Sequence, residues 1–223
     1  AYLEEACRSD NWELETLEFT INDKLDQIMT RLYRSQPDVL CFSAYIWNIE
    51  DILSLCQDFK TISPHCLIIL GGPEVSYDAA TVLQEHPGID YIVRGEGEIT
   101  LRQLLGQILE EKSVDEVKGI TYRYQGQIKE NPDQPLITDL GSLPSPFKRD
   151  FTPYKDRVVY YESSRGCPFN CSYCLSSIAR GVRFFPMERV KEELGQLLKY
   201  ELREIKLVDR TFNCNEKRAR EIM

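Results

Sequence analysis

Three cysteines, Cys167, Cys171 and Cys174, stand at Cys-x-x-x-Cys-x-x-Cys spacing directly after the apolar run Val158-Val159-Tyr160-Tyr161. Three thiolates on one loop can hold three irons of a cubane iron–sulfur cluster. The fourth iron is then left without a protein ligand, where a small molecule can bind and be reduced. Zinc is the competing chemistry. It wants four ligands and usually takes paired Cys-x-x-Cys units. This stretch has one pair plus one extra cysteine and no nearby histidine, with Cys214 the distant fourth candidate. A disulfide reading is weaker, because nothing else in the chain looks secreted.

A second set of candidate residues lies where strands end. Val39–Ser43, Leu67–Leu70 and Ile89–Val93 read as short buried strands, followed by Ser43-Ala44-Tyr45, Gly71-Gly72-Pro73 and Gly95-Glu96-Gly97. Between them come helical patterns. Asp23–Arg34 carries Leu25, Ile28, Met29 and Leu32. A helix capped by Asn48 carries Ile52, Leu55, Cys56 and Phe59 on one face. Asp78–Glu85 and Ile99–Leu109 read as two more helices. Trp12–Phe19 alternates apolar and acidic residues, as an edge strand does. Such alternation builds a doubly wound parallel sheet with helices on both faces, and ligands bind outside the carboxyl ends of its strands. A glycine after a strand can simply turn the chain. Three aligned strand ends of small residues predict a cleft where a large planar ligand meets the backbone. Gly95-x-Gly97-x-x-Thr100 also resembles a dinucleotide fingerprint, but it lacks the third glycine and follows the last strand.

The pattern changes after residue 112. Ile120, Tyr122 and Tyr124 alternate, and Gln125-Gly126 turns the chain into Ile128, a hairpin. Pro132, Pro135, Gly141, Pro144 and Pro146 mark a linker. The expected organisation is therefore a first domain at 1–112, a hairpin and linker at 113–150, and a second domain at 151–223. In the second domain, Val158–Tyr161 is a strand and the cysteine loop follows it. Pro186–Tyr200 is a helix with Val190, Leu194, Leu197 and Leu198 on one face, Glu204–Val208 is a strand, and a helix follows around Glu216–Met223. Cys41, Cys56 and Cys66 lie in or beside apolar runs and read as core residues, while Cys214 reads as structural.

The cysteine spacing, with Tyr173 as the aromatic before the third cysteine, resembles that of the radical S-adenosylmethionine superfamily. The resemblance implies a 4Fe–4S cluster that cleaves S-adenosylmethionine to a 5′-deoxyadenosyl radical. It places Tyr173 beside the adenine. It also places Asp209, after the second strand, near the amino or carboxylate group, although Val208-Asp209-Arg210-Thr211 matches the family's Gly-Gly-Glu only by position. Over residues 1–110 the order of signals resembles the cobalamin-binding domain found in front of many such enzymes. This implies that Ser43, Gly71, Gly72, Gly95 and Glu96 surround the tail of cobalamin. Leu140-x-x-Leu143-Pro144-x-Pro146 is similar to the connector between the two domains. The fold implied is a flavodoxin-like cobalamin-binding domain followed by the first units of a partial (β/α)6 barrel. His65 and His86 are the only histidines and neither sits in an Asp-x-His-x-x-Gly loop, so no axial histidine is expected from these residues.

Composition bounds the partners. Lys+Arg is 27 and Asp+Glu 36, a net charge of −9, which disfavours a general nucleic-acid surface. No stretch approaches the ~18 apolar residues of a membrane span, and no signal peptide opens the chain, so a cytoplasmic protein with reduced thiols is expected. Both ends read as cut within helices, with the first strand of the sheet missing and the barrel incomplete. Such a fragment is expected to be inactive alone and to associate through exposed barrel edges. The expected activity is that of a cobalamin-dependent radical enzyme, with methyl transfer as reaction type. It acts on a small-molecule or peptide substrate of unknown identity and draws electrons from an external donor. The alternatives are a radical enzyme whose first domain binds no cobalamin, and a non-enzymatic zinc-stapled binding module.

Overall fold

The computed structural model describes residues 2–7, 12–177 and 181–223. In chain order its elements begin with α1 (Tyr2–Cys7), α2 (Leu25–Ser35), β1 (Val39–Ser43), α3 (Ile49–Ile62), β2 (Leu67–Gly71), α4 (Pro73–Ser76), α5 (Ala79–Glu85), β3 (Tyr91–Val93) and α6 (Gly97–Leu109). There follow β4 (Ile120–Tyr124), β5 (Gln127–Glu130), β6 (Val158–Tyr161), β7 (Ser164–Cys167), β8 (Gly181–Phe184), α7 (Met187–Leu197), β9 (Glu204–Leu207) and α8 (Glu216–Ile222). They group into two compact units, Asp10–Leu136, and Ala1–Ser9 with Ile137–Met223.

The first unit is built on a five-stranded sheet in the order β1-β2-β3-β4-β5. β1, β2 and β3 are parallel, and β4 and β5 add antiparallel strands beside β3. Ile68, Ile69 and Leu70 of β2 are all buried, as expected of a strand covered on both faces. Phe59, Leu55 and Cys56 of α3 and Ile28 and Leu32 of α2 join the same core. Lys60 and Asp90 fix the amino ends of the strands. The Asp90 carboxylate accepts from Lys60 Nζ at 2.7 Å and from the Ile68 amide at 2.8 Å.

The hairpin expected between the domains instead completes this sheet. Buried Arg94, just past β3, donates to the carbonyls of Ile120 (2.9 Å) and Asn131 (2.6 Å) and to Asp133 Oδ1 (2.9 Å). One guanidinium thus satisfies several acceptors and ties the end of β3 to the hairpin. The sheet is therefore mixed, with its parallel part at β1–β3.

Three local expectations are corrected. Trp12–Phe19 is not a strand. Leu17 and Phe19 pack against the core, and Arg31 lies over the Phe19 ring at 4.9 Å. A strand needs a neighbour for its ladder, and β1 pairs only with β2 among the described residues. Asn48 does not cap α3 with its side chain. Its Oδ1 accepts from the Tyr45 amide at 2.7 Å and its Nδ2 donates to the Ser43 carbonyl at 3.1 Å, bracing the turn after β1. Cys41 is exposed on the edge strand, whereas Cys56 and Cys66 are buried as expected.

In the second unit β6 and β9 pair in parallel, Val159 opposite Ile205 and Tyr161 opposite Leu207. α7 covers them with Val190 and Leu197 buried. Leu198 is exposed, and Glu193 takes the inward place. Burial of that carboxylate is offset by two bonds, from Tyr161 Oη at 2.7 Å and Arg189 Nε at 2.8 Å. The connector packs here too. Leu140 and Leu143 are buried, and their carbonyls accept from Arg189.

Candidate cofactor and metal sites

The first site is the carboxyl edge of the parallel strands. Register places Ser43 opposite Gly71 and Gly71 opposite Val93, so the three strands end in one row. The turns beyond that row are tied together. The Ala44 amide donates to the Gly71 carbonyl at 2.7 Å. Ser76 Oγ donates to the Gly72 carbonyl at 2.7 Å and accepts from the Gly95 amide at 3.4 Å. Ser76 carries no sequence signal beyond its place in α4, an element the sequence did not suggest. Ser43 and Gly95 are exposed, and Gly71, Gly72 and Glu96 are half-buried, with Glu96 at the start of α6. The structure thus brings all five expected residues to one edge.

The two glycines of the pair have different reasons to be glycine. Gly72 has φ +105°, and a Cβ there would lie 2.4 Å from the Ala44 carbonyl oxygen. Chain geometry alone requires it. Gly71 has no such constraint, since a Cβ would meet only Val93 O at 3.6 Å and Val93 Cβ at 3.9 Å. At Gly95, φ is +72° and nothing lies within 4 Å of a Cβ. Gly71 and Gly95 therefore leave room beside the backbone that side chains would fill, a surface suited to close approach by a ligand. The turn after β1 carries Tyr45 and Trp47, 38% and 61% exposed, with rings stacked 4.7 Å apart at 4°. Trp47 carries no sequence signal, since an aromatic after a strand is ordinary. His65 and His86 precede β2 and β3, so both lie at the opposite end of the strands. A cavity of about 120 Å³ between α2 and α3 and one of about 350 Å³ beside the connector contain none of the five expected residues.

The second site is the cysteine loop. β7 and β8 form an antiparallel pair, Ser164 opposite Phe184 and Cys167 opposite Gly181. The loop is thus the tip of a hairpin inserted between β6 and α7, where the sequence suggested a loop alone. Residues 178–180 lie outside the described residues. Cys167, Cys171 and Cys174 are half-buried and in no disulfide, and the Cys174 amide donates to the Cys171 carbonyl at 3.1 Å. Tyr173 is 91% exposed.

Thiol chemistry divides the cysteines. A hydrogen bond between the Thr211 hydroxyl and the Cys167 sulfur holds the Cys167 thiol below its ordinary range, helped by the Phe169 backbone and by Arg210. Burial pushes the Cys56 thiol up to about 12, and Asp90 adds to it. A lowered thiol favours metal ligation, and a raised one is inert. Among the described residues no three His, Cys, Asp or Glu side chains converge on a single ion. A cubane spreads its irons over separate thiolates, so a three-thiol donor set without histidine fits it.

Asp209 follows β9. Its Oδ1 accepts from Ser163 Oγ at 2.7 Å and from Ser164 Oγ, and its Oδ2 accepts from the Ser163 amide at 3.2 Å. Three of the roughly four acceptor positions of a carboxylate are thereby used within the protein. Asp209 is thus a clasp between the end of β9 and the start of β7.

Residues 1–105 match the B12 binding domain family. The chain is 34% identical over 198 residues to a protein of Pyrococcus horikoshii named uncharacterized methyltransferase PH0819, covering 83% of this chain and 42% of that one. It is 26% identical to the cobalamin-dependent radical SAM methyltransferase TokK of Streptomyces tokunonensis, over 79% of this chain and 28% of that one. The structure superposes on the cobalamin-dependent S-adenosylmethionine radical enzyme OxsB with a TM-score of 0.77 at 22% identity, covering 99% of this chain and 33% of that one. The chain therefore spans less than half the length of these relatives. No helix among the described residues is long and apolar enough to cross a membrane. The chain is a relative of the cobalamin-binding-domain-containing radical S-adenosylmethionine proteins, the family that its cysteines and strand ends resemble.

Proposed function

We propose that the chain is part of a cobalamin-dependent radical S-adenosylmethionine enzyme, with methyl transfer as its reaction. The observation that carries this reading is the three-thiol loop at the tip of the β7–β8 hairpin, free of disulfides, with its Cys167 sulfur within reach of the Thr211 hydroxyl. Cys167, Cys171 and Cys174 would hold a 4Fe–4S cluster. When bound, such a cluster supplies the electron for reductive cleavage of S-adenosylmethionine, and cobalamin supplies a methyl carrier. Ser43, Gly71, Gly72, Gly95 and Glu96 line the edge on which cobalamin would lie. Gly71 and Gly95 let it approach the backbone, and the stacked Tyr45 and Trp47 offer a flat apolar wall. Exposed Tyr173 is available to a nucleoside ring, and Asp209 holds the cysteine hairpin in place. A small molecule or peptide as substrate, an external electron donor and a cytoplasmic setting complete the reading.

The names of the relatives support methyl transfer: TokK, a hopanoid C-3 methylase of Methylococcus capsulatus, and the Pyrococcus horikoshii protein. Anaerobic reconstitution with iron, sulfide and hydroxocobalamin tests the proposal. About four irons and four sulfides per chain, with the absorption of both cofactors, is expected. One tightly bound zinc that iron does not displace would overturn it.

A further inference from the structure

The hairpin that carries the cysteines is fastened at both ends of β7 by the segment after β9. At its start, Asp209 takes the Ser163 amide and the hydroxyls of Ser163 and Ser164. Arg218 adds bonds to the carbonyls of Ser163 (3.1 Å) and Phe185 (2.9 Å), which closes the base of the hairpin. At the far end of β7, the Thr211 hydroxyl lies 3.5 Å from Cys167 Sγ, within hydrogen-bond reach for sulfur. Two residues of one short segment, Asp209 and Thr211, thus span a four-residue strand from base to tip.

We propose that Thr211 is a positioning and tuning residue for the iron–sulfur cluster, its hydroxyl donating to the sulfur of Cys167. This rests on the cluster assigned above. The physical reason is electrostatic. A coordinating thiolate gains negative charge when the cluster takes up one electron, and a hydroxyl dipole aimed at that sulfur stabilises the reduced form. The bond also fixes the rotamer of Cys167, so the ligand is set before the cluster arrives. Asp209 makes the arrangement rigid by fixing the backbone on which both groups ride.

The test is a mediated redox titration of the reconstituted chain, followed by electron paramagnetic resonance. Wild type is compared with Thr211→Val and Thr211→Ser, with circular dichroism to establish that each variant is folded. Each step adds one electron from dithionite to the cluster and returns it on reoxidation. Thr211→Val, close in shape but without a donor, should make one-electron reduction about tenfold less favourable, a downward shift of ~59 mV. Thr211→Ser should restore the wild-type potential. An unchanged potential in Thr211→Val, or a Thr211→Ser shift as large as that of valine, overturns the role of Thr211 while leaving the cluster in place. Failure of the wild-type chain to take up a cluster overturns the proposed function, and the Thr211 role with it.

Discussion

Substituting alanine at Gly71 and at Gly72 separates a glycine kept for a ligand from one kept for the fold. At Gly72 the new Cβ would lie 2.4 Å from Ala44 O and 2.9 Å from Ala44 N, both backbone atoms that cannot rotate aside. The residue would also be held at φ +105°, which costs about 1–3 kcal/mol for a non-glycine residue. Displacing Ala44 strains the hydrogen bond from its amide to the Gly71 carbonyl oxygen, worth about 1 kcal/mol. Gly72→Ala should therefore lose about 3 kcal/mol of stability. At Gly71 the Cβ would meet only ordinary contacts at 3.6 and 3.9 Å. There the loss of backbone freedom in the unfolded chain should stabilise the protein by about 0.5 kcal/mol. The binding effect runs the other way, because the methyl group of Gly71→Ala would occupy the ledge on which cobalamin is proposed to lie. A loss of affinity of about tenfold, ~1.4 kcal/mol, is expected for alanine, and more for Gly71→Val. Urea unfolding followed by circular dichroism gives the stabilities, and hydroxocobalamin titration by absorbance gives the affinities. Wild-type corrin affinity in Gly71→Val, or wild-type stability in Gly72→Ala, would refute the reasoning.

Other outcomes follow from the same geometry. Alanine at Cys167, Cys171 or Cys174 should abolish iron and sulfide incorporation, while Cys214→Ala should not; elemental analysis after anaerobic reconstitution decides between them. Tyr161→Phe removes one of two donors to buried Glu193 and should cost about 1–3 kcal/mol in denaturant unfolding, whereas a change below 0.5 kcal/mol, the usual scale of a surface substitution, would mean that Arg189 alone suffices. The Cys56 thiol is raised to about 12 by burial, so the folded state holds its proton where the unfolded chain has lost it. Its contribution is complete below about pH 9 and is lost as pH rises toward 12, and Cys56→Ala should flatten the alkaline limb of a stability–pH curve.

Much was legible in the sequence because local patterns carried it. The continuous apolar run of β2 and the periodic faces of α2, α3 and α6 announce buried strands and covering helices at close to their observed bounds. Cys167, Cys171 and Cys174 were legible because their separation is short enough for one loop. The strand-end residues could be named from sequence because parallel strands present their carboxyl ends together. What tertiary structure decided is whatever depends on partners distant along the chain. Trp12–Phe19 alternates like a strand, yet no described strand pairs with it. The hairpin at 120–130 joined the first sheet because Arg94 found its acceptors there, a pairing no local pattern encodes. Glu193 displaced Leu198 from the buried face because Tyr161, 32 residues away, offers a hydroxyl. Asp209 and Thr211 acquired their roles by meeting Ser163, Ser164 and Cys167 across more than forty positions of sequence. Periodicity reports the environment along one element. Hydrogen bonds between polar groups far apart in sequence are specified only once packing has brought those groups together.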